Sequence, residues 1–118
     1  METSVRLEPP GYQLDVVSTG SRAVVSLPAR LDPAARDALW WCASRLAVQG
    51  VRELTLDAAR LQEVDAPGLA ALVRIARLLR SVNGRLVLAS LHHDVSRLLA
   101  VAGLHRIFGT QVPAAASS

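Results

Sequence analysis

The 118-residue sequence has one cysteine, no lysine and few aromatic residues, and each shortage excludes a class of protein. A lone thiol, Cys42, cannot form an intrachain disulfide or a cysteine-based zinc site, and it is compatible with a reducing compartment. Aromatic residues make up only 3% of the chain, too few for the stacking surfaces of nucleic-acid readers. No apolar run approaches the ~20 residues of a transmembrane helix, and no signal peptide is visible. These absences predict a cytoplasmic protein that neither inserts into a membrane nor binds nucleic acid.

The basic residues give a high isoelectric point without a basic patch. All 13 are arginines, whose high pKa raises the sequence pI to about 10.4 although the formal net charge is only +3. They are spread along the chain among acidic residues, which also argues against a nucleic-acid partner. Arg74, Arg77 and Arg80 recur at helical spacing, which is typical of a helix face in water, and an acidic partner is the alternative.

Hydrophobic periodicity predicts an α/β fold. Residues 12–16 alternate apolar and polar side chains, and residues 22–27 have the composition of a strand. The short Thr-Gly-Ser turn between them predicts an antiparallel hairpin. Residues 51–57, 85–90 and 104–108 are predicted as further strands, separated by helices. Each strand–helix–strand unit requires a parallel strand pair with a right-handed crossover. The sequence therefore predicts a mixed sheet of four to five strands with helices packed against it.

The helix starts are marked by aspartate followed closely by proline. Asp32 and Asp65 can accept hydrogen bonds from free N–H groups at the helix N-termini, and Pro33 and Pro67 fit the first turn. Both helix starts are expected at the carboxyl edge of the sheet, where open α/β folds place their sites. A single domain is expected over residues 12–109, with an N-terminal arm at 1–11 and a flexible tail at 110–118.

The sequence offers little that could carry catalysis. It has no glycine-rich phosphate loop and no nucleophile elbow, and Cys42 lies in the middle of a predicted helix. His92, His93 and His105 do not have the spacing of a metal site. We therefore expect no enzymatic activity, no metal and no cofactor.

Two apolar features point instead to a binding surface. Trp40 and Trp41 are adjacent on a helix and diverge by about 100°, so at least one must lie on the flank or surface of the domain. That tryptophan either covers a sheet edge or contacts a protein partner. The second helix has, beside its core stripe, another apolar line that either packs under a neighbouring helix or forms a docking strip. The members of the core stripe are Leu69, Leu72, Val73, Ala76 and Leu79. The members of this second line are Ala71, Ile75, Leu78 and Val82.

Five motifs in order resemble the STAS domain of anti-sigma factor antagonists, over roughly residues 12–109. They are Leu31-Asp32, the strand end Leu56-Asp57, the turn Val64-Asp65-Ala66-Pro67-Gly68-Leu69, Asn83-Gly84-Arg85-Leu86, and Leu98-Leu99 followed by Gly103-Leu104. The element order of that family matches the one predicted from periodicity.

The resemblance implies a switchable protein–protein contact. In the family, a serine or threonine usually follows the turn aspartate, and an anti-sigma factor with a kinase fold phosphorylates it and thereby breaks the complex. The unmodified protein binds the anti-sigma factor and frees the sigma factor. By position, Asp32, Asp65 and Gly68 match the family pattern. Ala66 stands at the phosphoacceptor position and has no hydroxyl, so phosphorylation at residue 66 is not expected.

The resulting hypothesis is a non-enzymatic interaction module that binds a kinase-fold anti-sigma factor. The expected partner-binding residues are Asp32, Trp40, Trp41, Asp65, Ala66, Pro67, Gly68 and Leu78. The alternatives are a STAS subunit of a lipid-type ABC transporter, a component of a stress-sensing assembly, and a sheet-edge binder of a small molecule. Formation of a homodimer is left open.

Overall fold

Strands and helices alternate along most of the chain. The computed structural model describes residues 3–7, 13–101, 103 and 109–111. The strands are β1 (Thr3–Leu7), β2 (Leu14–Thr19), β3 (Arg22–Ser26), β4 (Glu53–Asp57), β5 (Arg85–Ala89) and β6 (Gly109–Gln111). The helices are α1 (Pro33–Val48), α2 (Ala66–Ser81) and α3 (His93–Val101).

The strands form one mixed sheet whose spatial order follows the sequence, β1-β2-β3-β4-β5-β6. The two pairs that involve β2 are antiparallel, and the pairs from β3 to β6 are parallel. The predicted α/β architecture, with an antiparallel start followed by parallel units, is confirmed. Val16, Val25, Leu56 and Leu88 are register partners across four adjacent strands, and all are buried.

Both ends of the predicted sheet need correction. Residues 1–11 were expected to form an arm, but residues 3–7 form β1, which pairs with β2. Pairing at a sheet edge uses backbone hydrogen bonds and needs no continuous apolar pattern, so the polar composition and Pro9-Pro10-Gly11 concealed it. The strand expected at 104–108 lies outside the described residues. Strand β6 instead begins at Gly109 and extends into the segment that was expected to be a flexible tail.

The helices pack against the sheet over a single hydrophobic core. The parallel strands advance in one direction, so right-handed crossovers place their connecting helices on the same face. Ile75 is completely buried in this core, whereas the sequence analysis placed it on the second apolar line of α2. Leu69 and Val73, which were expected in the core stripe, are only partly buried. The buried stripe of α2 is therefore rotated from its predicted centre and consists of Leu72, Ile75, Ala76 and Leu79.

The turn between α2 and β5 contains a close backbone approach at Gly84. A Cβ atom built on this residue would overlap the carbonyl oxygen of Arg52. The same oxygen accepts a hydrogen bond from the Arg85 N–H at 2.7 Å, so it cannot move without disturbing the start of β5. The close approach explains why glycine occupies this position.

We expect Gly84→Ala to lower the free energy of unfolding by about 3 kcal/mol because the added methyl group displaces backbone. Gly20→Ala is the matched control. Gly20 has a φ of 60° but nothing within 4 Å of its missing Cβ, so only the left-handed backbone is penalised, by about 1 kcal/mol. Chemical denaturation measures both values, and equal losses in the two variants would contradict the steric explanation.

Candidate functional site

Two aspartates begin the two long helices in the same way. The Asp32 Oδ1 accepts the Ala35 N–H at 2.8 Å, and the Asp65 Oδ1 accepts the Gly68 N–H at 2.8 Å. Both residues have extended backbone at the N-cap position, as the aspartate–proline pattern predicted. Since proline has no N–H and the third N–H of each helix is bound to the cap, few donors remain for an external anion.

The turn that precedes α2 is tight at Gly68 and open at its tip. A Cβ on Gly68 would lie 3.0 Å from the Asp65 Oδ1 and 3.2 Å from Val64 Cγ1, so a side chain there would push against the cap itself. Asp65, Ala66 and Pro67 are exposed, whereas Gly68 is buried. The turn therefore presents three consecutive residues to solvent on a rigid base.

The loops that lead into α1 and α2 are held against each other. An isolated parallel bridge joins Arg30 to Glu63, and their side chains form an ion pair with a 3.1 Å separation. Asp32 and Asp65 both line the resulting pocket, which has a volume of about 230 Å³. The structure thus brings together the two aspartates that the sequence analysis placed at the carboxyl edge of the sheet. Arg36 lines the same pocket.

A larger groove of about 630 Å³ runs between α1 and α2. Its α1 wall consists of Arg36, Asp37, Trp40, Trp41, Ser44 and Arg45. Its α2 wall consists of Pro67, Ala70, Ala71 and Arg74. Both tryptophans are half-buried and pack against the core with one side. Each tryptophan ring thus covers core residues and also faces the groove.

Two arginines of the groove lie over the tryptophan rings. The Arg74 Cζ is 4.1 Å from the centroid of Trp40, and the Arg45 Cζ is 5.3 Å from the centroid of Trp41. At these distances the positive guanidinium is attracted to the negative face of the ring. Within the described part of the chain neither arginine has an ion pair with a carboxylate; the ion pairs there join Glu53 and Glu63 to other arginines.

Five of the expected site residues line the two spaces, whereas Ala66, Gly68 and Leu78 line neither. Asp32 and Asp65 line the smaller pocket, whereas Trp40, Trp41 and Pro67 line the groove. Leu78 lines neither space and packs partly against the core.

Sequence analysis missed the contribution of Arg36 and Arg45 to this surface, and it considered Arg74 only as one of three helix-face arginines for which an acidic partner was the alternative. The signal for one of them was available, because Arg45 lies four residues after Trp41 on the same helix.

The described residues offer few groups for covalent or metal chemistry. Among them, no cluster of three or more histidine, cysteine or acidic side chains has the arrangement of a metal site. His92 is engaged with the backbone oxygen of Ala59 at 2.8 Å. None of the described helices has the length and apolar character needed to span a membrane.

Comparison with known proteins assigns the chain to a family. A family model described as "Mlab, STAS domain" matches residues 14–110, which is most of the chain. The chain belongs to the STAS domain family. This STAS domain is 35% identical over 60 residues to BtrV of Bordetella bronchiseptica, which carries the name of an anti-sigma factor antagonist. That match spans about half of each protein, with 51% of this chain and 52% of BtrV aligned.

Solved structures of similar fold cover almost the whole domain. The unphosphorylated form of the Bacillus anti-sigma factor antagonist SpoIIAA superposes with a TM-score of 0.72 and 22% identity, over 88% of this chain and 92% of that one. TM1081 of Thermotoga maritima superposes with a TM-score of 0.73 and 18% identity, over 88% and 89% of the two chains. At these identities the likeness establishes the shared fold.

The hydrogen bond of the Asp65 cap should contribute to the stability of the fold. We expect Asp65→Ala to lower the free energy of unfolding by about 1 kcal/mol, because the Gly68 N–H loses its acceptor. Asp65→Asn keeps an oxygen at the cap and should lower the free energy of unfolding by only a few tenths of the loss in Asp65→Ala. Urea denaturation measures both variants, and a loss of equal size in both would assign the effect to the charge of Asp65 rather than to the hydrogen bond.

The buried thiol of Cys42 should make the stability of the fold depend on pH. Burial raises its pKa from 9.0 to about 11, because desolvation disfavours the thiolate. The folded protein therefore holds this proton more tightly than the unfolded chain does. The resulting stabilisation is complete below pH 9 and is lost as the pH rises from 9 to 11.

Chemical denaturation at neutral pH and at about pH 10 measures this effect. Between the two pH values, the free energy of unfolding of wild type should fall by about 1 kcal/mol more than that of Cys42→Ala. Equal losses in the two proteins would show that Cys42 does not titrate differently in the folded and unfolded states.

Proposed function

We propose that this STAS domain is a non-enzymatic binding module that acts as an anti-sigma factor antagonist. Its partner is an anti-sigma factor with a kinase-like fold, and binding of that partner releases a sigma factor. The contact surface comprises the turn Asp65–Gly68, which is exposed at its first three residues, the neighbouring cap Asp32, and the groove with Trp40 and Trp41. Leu78 lies further along α2 and is kept in the proposed surface as a peripheral residue.

The single observation that carries this proposal is the continuity of turn and groove. Pro67 belongs to the exposed turn and also lines the groove, so a partner seated on the turn would also meet the tryptophans. Tryptophan and arginine are the residues most often found at the energetic centres of protein interfaces. The similarity to BtrV supports an anti-sigma factor as the partner.

We further propose that binding is constitutive with respect to residue 66. The Ala66 side chain is a methyl group at the exposed tip of the turn, and it has no oxygen that could accept a phosphoryl group. A phosphate there would add up to two negative charges beside Asp65 and beside the carboxylates of the smaller pocket. With alanine at residue 66, the turn stays permanently in its unphosphorylated form.

The test uses purified kinase-fold anti-sigma factors of the source organism and three forms of this protein. Wild type and Ala66→Ser should bind the same anti-sigma factor with similar affinity in isothermal titration calorimetry. Ala66→Asp should bind about tenfold more weakly, because it places a second carboxylate beside Asp65. With ATP present, wild type should incorporate no phosphate at the turn.

Phosphate found at the turn of wild type would contradict the constitutive state. If wild type and Ala66→Ser bind none of the anti-sigma factors, the proposed partner class is wrong. A matched control is Ala59→Asp, which adds a carboxylate at another exposed loop alanine outside the surface and should leave the affinity unchanged.

A second candidate function is favoured by Ala66 itself. A fixed subunit of a larger assembly, such as a lipid-type ABC transporter or a stress-sensing complex, needs no phosphorylation switch. In that case the same surface would be covered permanently by a subunit of the complex. Stable co-purification with an ATPase subunit, together with no affinity for any anti-sigma factor, would decide for this alternative.

A further inference from the structure

We propose that the groove between α1 and α2 binds a short acidic amphipathic helix supplied by the protein partner. The apolar side chains of that helix rest on Trp40 and Trp41, and its carboxylates pair with Arg45 and Arg74. This inference rests on the proposed function for the existence of a protein partner, and it adds which part of that partner is bound and by what chemistry.

The shape of the groove favours a helix. Its lining residues recur along one face of each helix, from Arg36 to Arg45 on α1 and from Pro67 to Arg74 on α2. At 1.5 Å per residue these stretches are about 13 Å and about 10 Å long. The groove therefore runs lengthwise between two helices for about two helical turns. An amphipathic helix fills such a space with side chains spaced three and four residues apart.

The charge of the groove selects an acidic occupant. Three arginines and one aspartate line it. Arg74 and Arg45 contact the tryptophan rings with the faces of their guanidinium groups. The N–H groups of a guanidinium lie in its plane, so they remain free to donate to a carboxylate. Arg36 differs, because one of its nitrogens already donates to the Leu31 carbonyl at 2.9 Å.

The same charges argue against a second copy of this chain in the groove. A two-fold contact would place the groove of one copy against the groove of the other. Arg45 and Arg74 would then face the arginines of the other copy, and like charges across an interface are repulsive. An acidic helix meets less repulsion, because the groove lining has three arginines and a single carboxylate, Asp37.

The experiment uses the intrinsic fluorescence of the full chain. Trp40 and Trp41 are the only two tryptophans in the sequence, so a change in tryptophan emission reports on this groove. Two synthetic helical peptides of about 14 residues serve as probes. Both carry leucines on one face at helical spacing, and they differ only in having glutamates or lysines beside that face.

We expect the glutamate peptide to change the emission in a saturable manner, with an affinity that falls as salt is added. The lysine peptide should have no effect. Arg45→Gln combined with Arg74→Gln should weaken binding of the glutamate peptide about tenfold. The matched control combines Arg77→Gln and Arg80→Gln, which remove two exposed charges of α2 outside the groove and should leave the affinity unchanged. Circular dichroism checks that both double variants fold.

Several results would overturn the inference. Equal binding of both peptides would show that charge does not select the occupant, and no response to the glutamate peptide would show that a helix does not bind. An emission change that appears on concentrating the protein alone, with a doubled mass, would assign the groove to a second copy. A response to dodecanoate or anionic vesicles but not to the glutamate peptide would assign it to a lipid.

The anti-sigma factor assay separates this inference from the proposed function. If an anti-sigma factor binds wild type and the Arg45/Arg74 double variant equally, the groove assignment fails while the proposed function stands. If the glutamate peptide binds as expected but no anti-sigma factor binds, the proposed partner class fails while the groove chemistry stands.

Discussion

Strands β3, β4 and β5 are parallel and adjacent, so the chain must cross one face of the sheet twice to connect them. Right-handed crossovers that advance in the same direction place α1 and α2 side by side with their N-termini at the same edge. This constraint creates the pocket between Asp32 and Asp65 and the groove between the helices. Neither space depends on an unusual backbone, since both aspartates are ordinary N-caps.

The packing of α1 on α2 also explains why the tryptophans are half-buried. Small residues, Ala70 and Ala71, line the groove opposite the tryptophans, so Arg74 is the one long side chain of the α2 wall. Burying a large aromatic side chain contributes roughly 1.5–3 kcal/mol, so leaving part of two rings uncovered forgoes stability that the fold could have gained. The arginines over Trp40 and Trp41 shield the rings from water without closing the groove. The fold thus leaves part of both rings uncovered at some expense of stability.

The sequence was informative where local chemistry decides the structure and less so where tertiary packing does. Asp32 and Asp65 could be recognised as caps because a carboxylate before a proline has a local reason to begin a helix. Ile75 was misplaced because several apolar lines on α2 fit a helical period, and only the position of the sheet selects one. Strand β1 was missed because an edge strand is defined by its neighbour rather than by its composition. The position of Arg74 over Trp40 joins two helices, so neither helix alone could reveal it.

Charge varies along the surface, and this variation restricts how a partner can bind. The pocket between the helix N-termini has three carboxylates and two arginines, whereas the groove has three arginines and one carboxylate. Arg36 lines both spaces and so marks where the local charge changes sign. A partner that lies along the groove with its acidic residues must leave the acidic pocket to a neutral or basic segment. A partner in the reverse orientation would meet like charges in both places, so electrostatics can select the orientation without any covalent switch at Ala66.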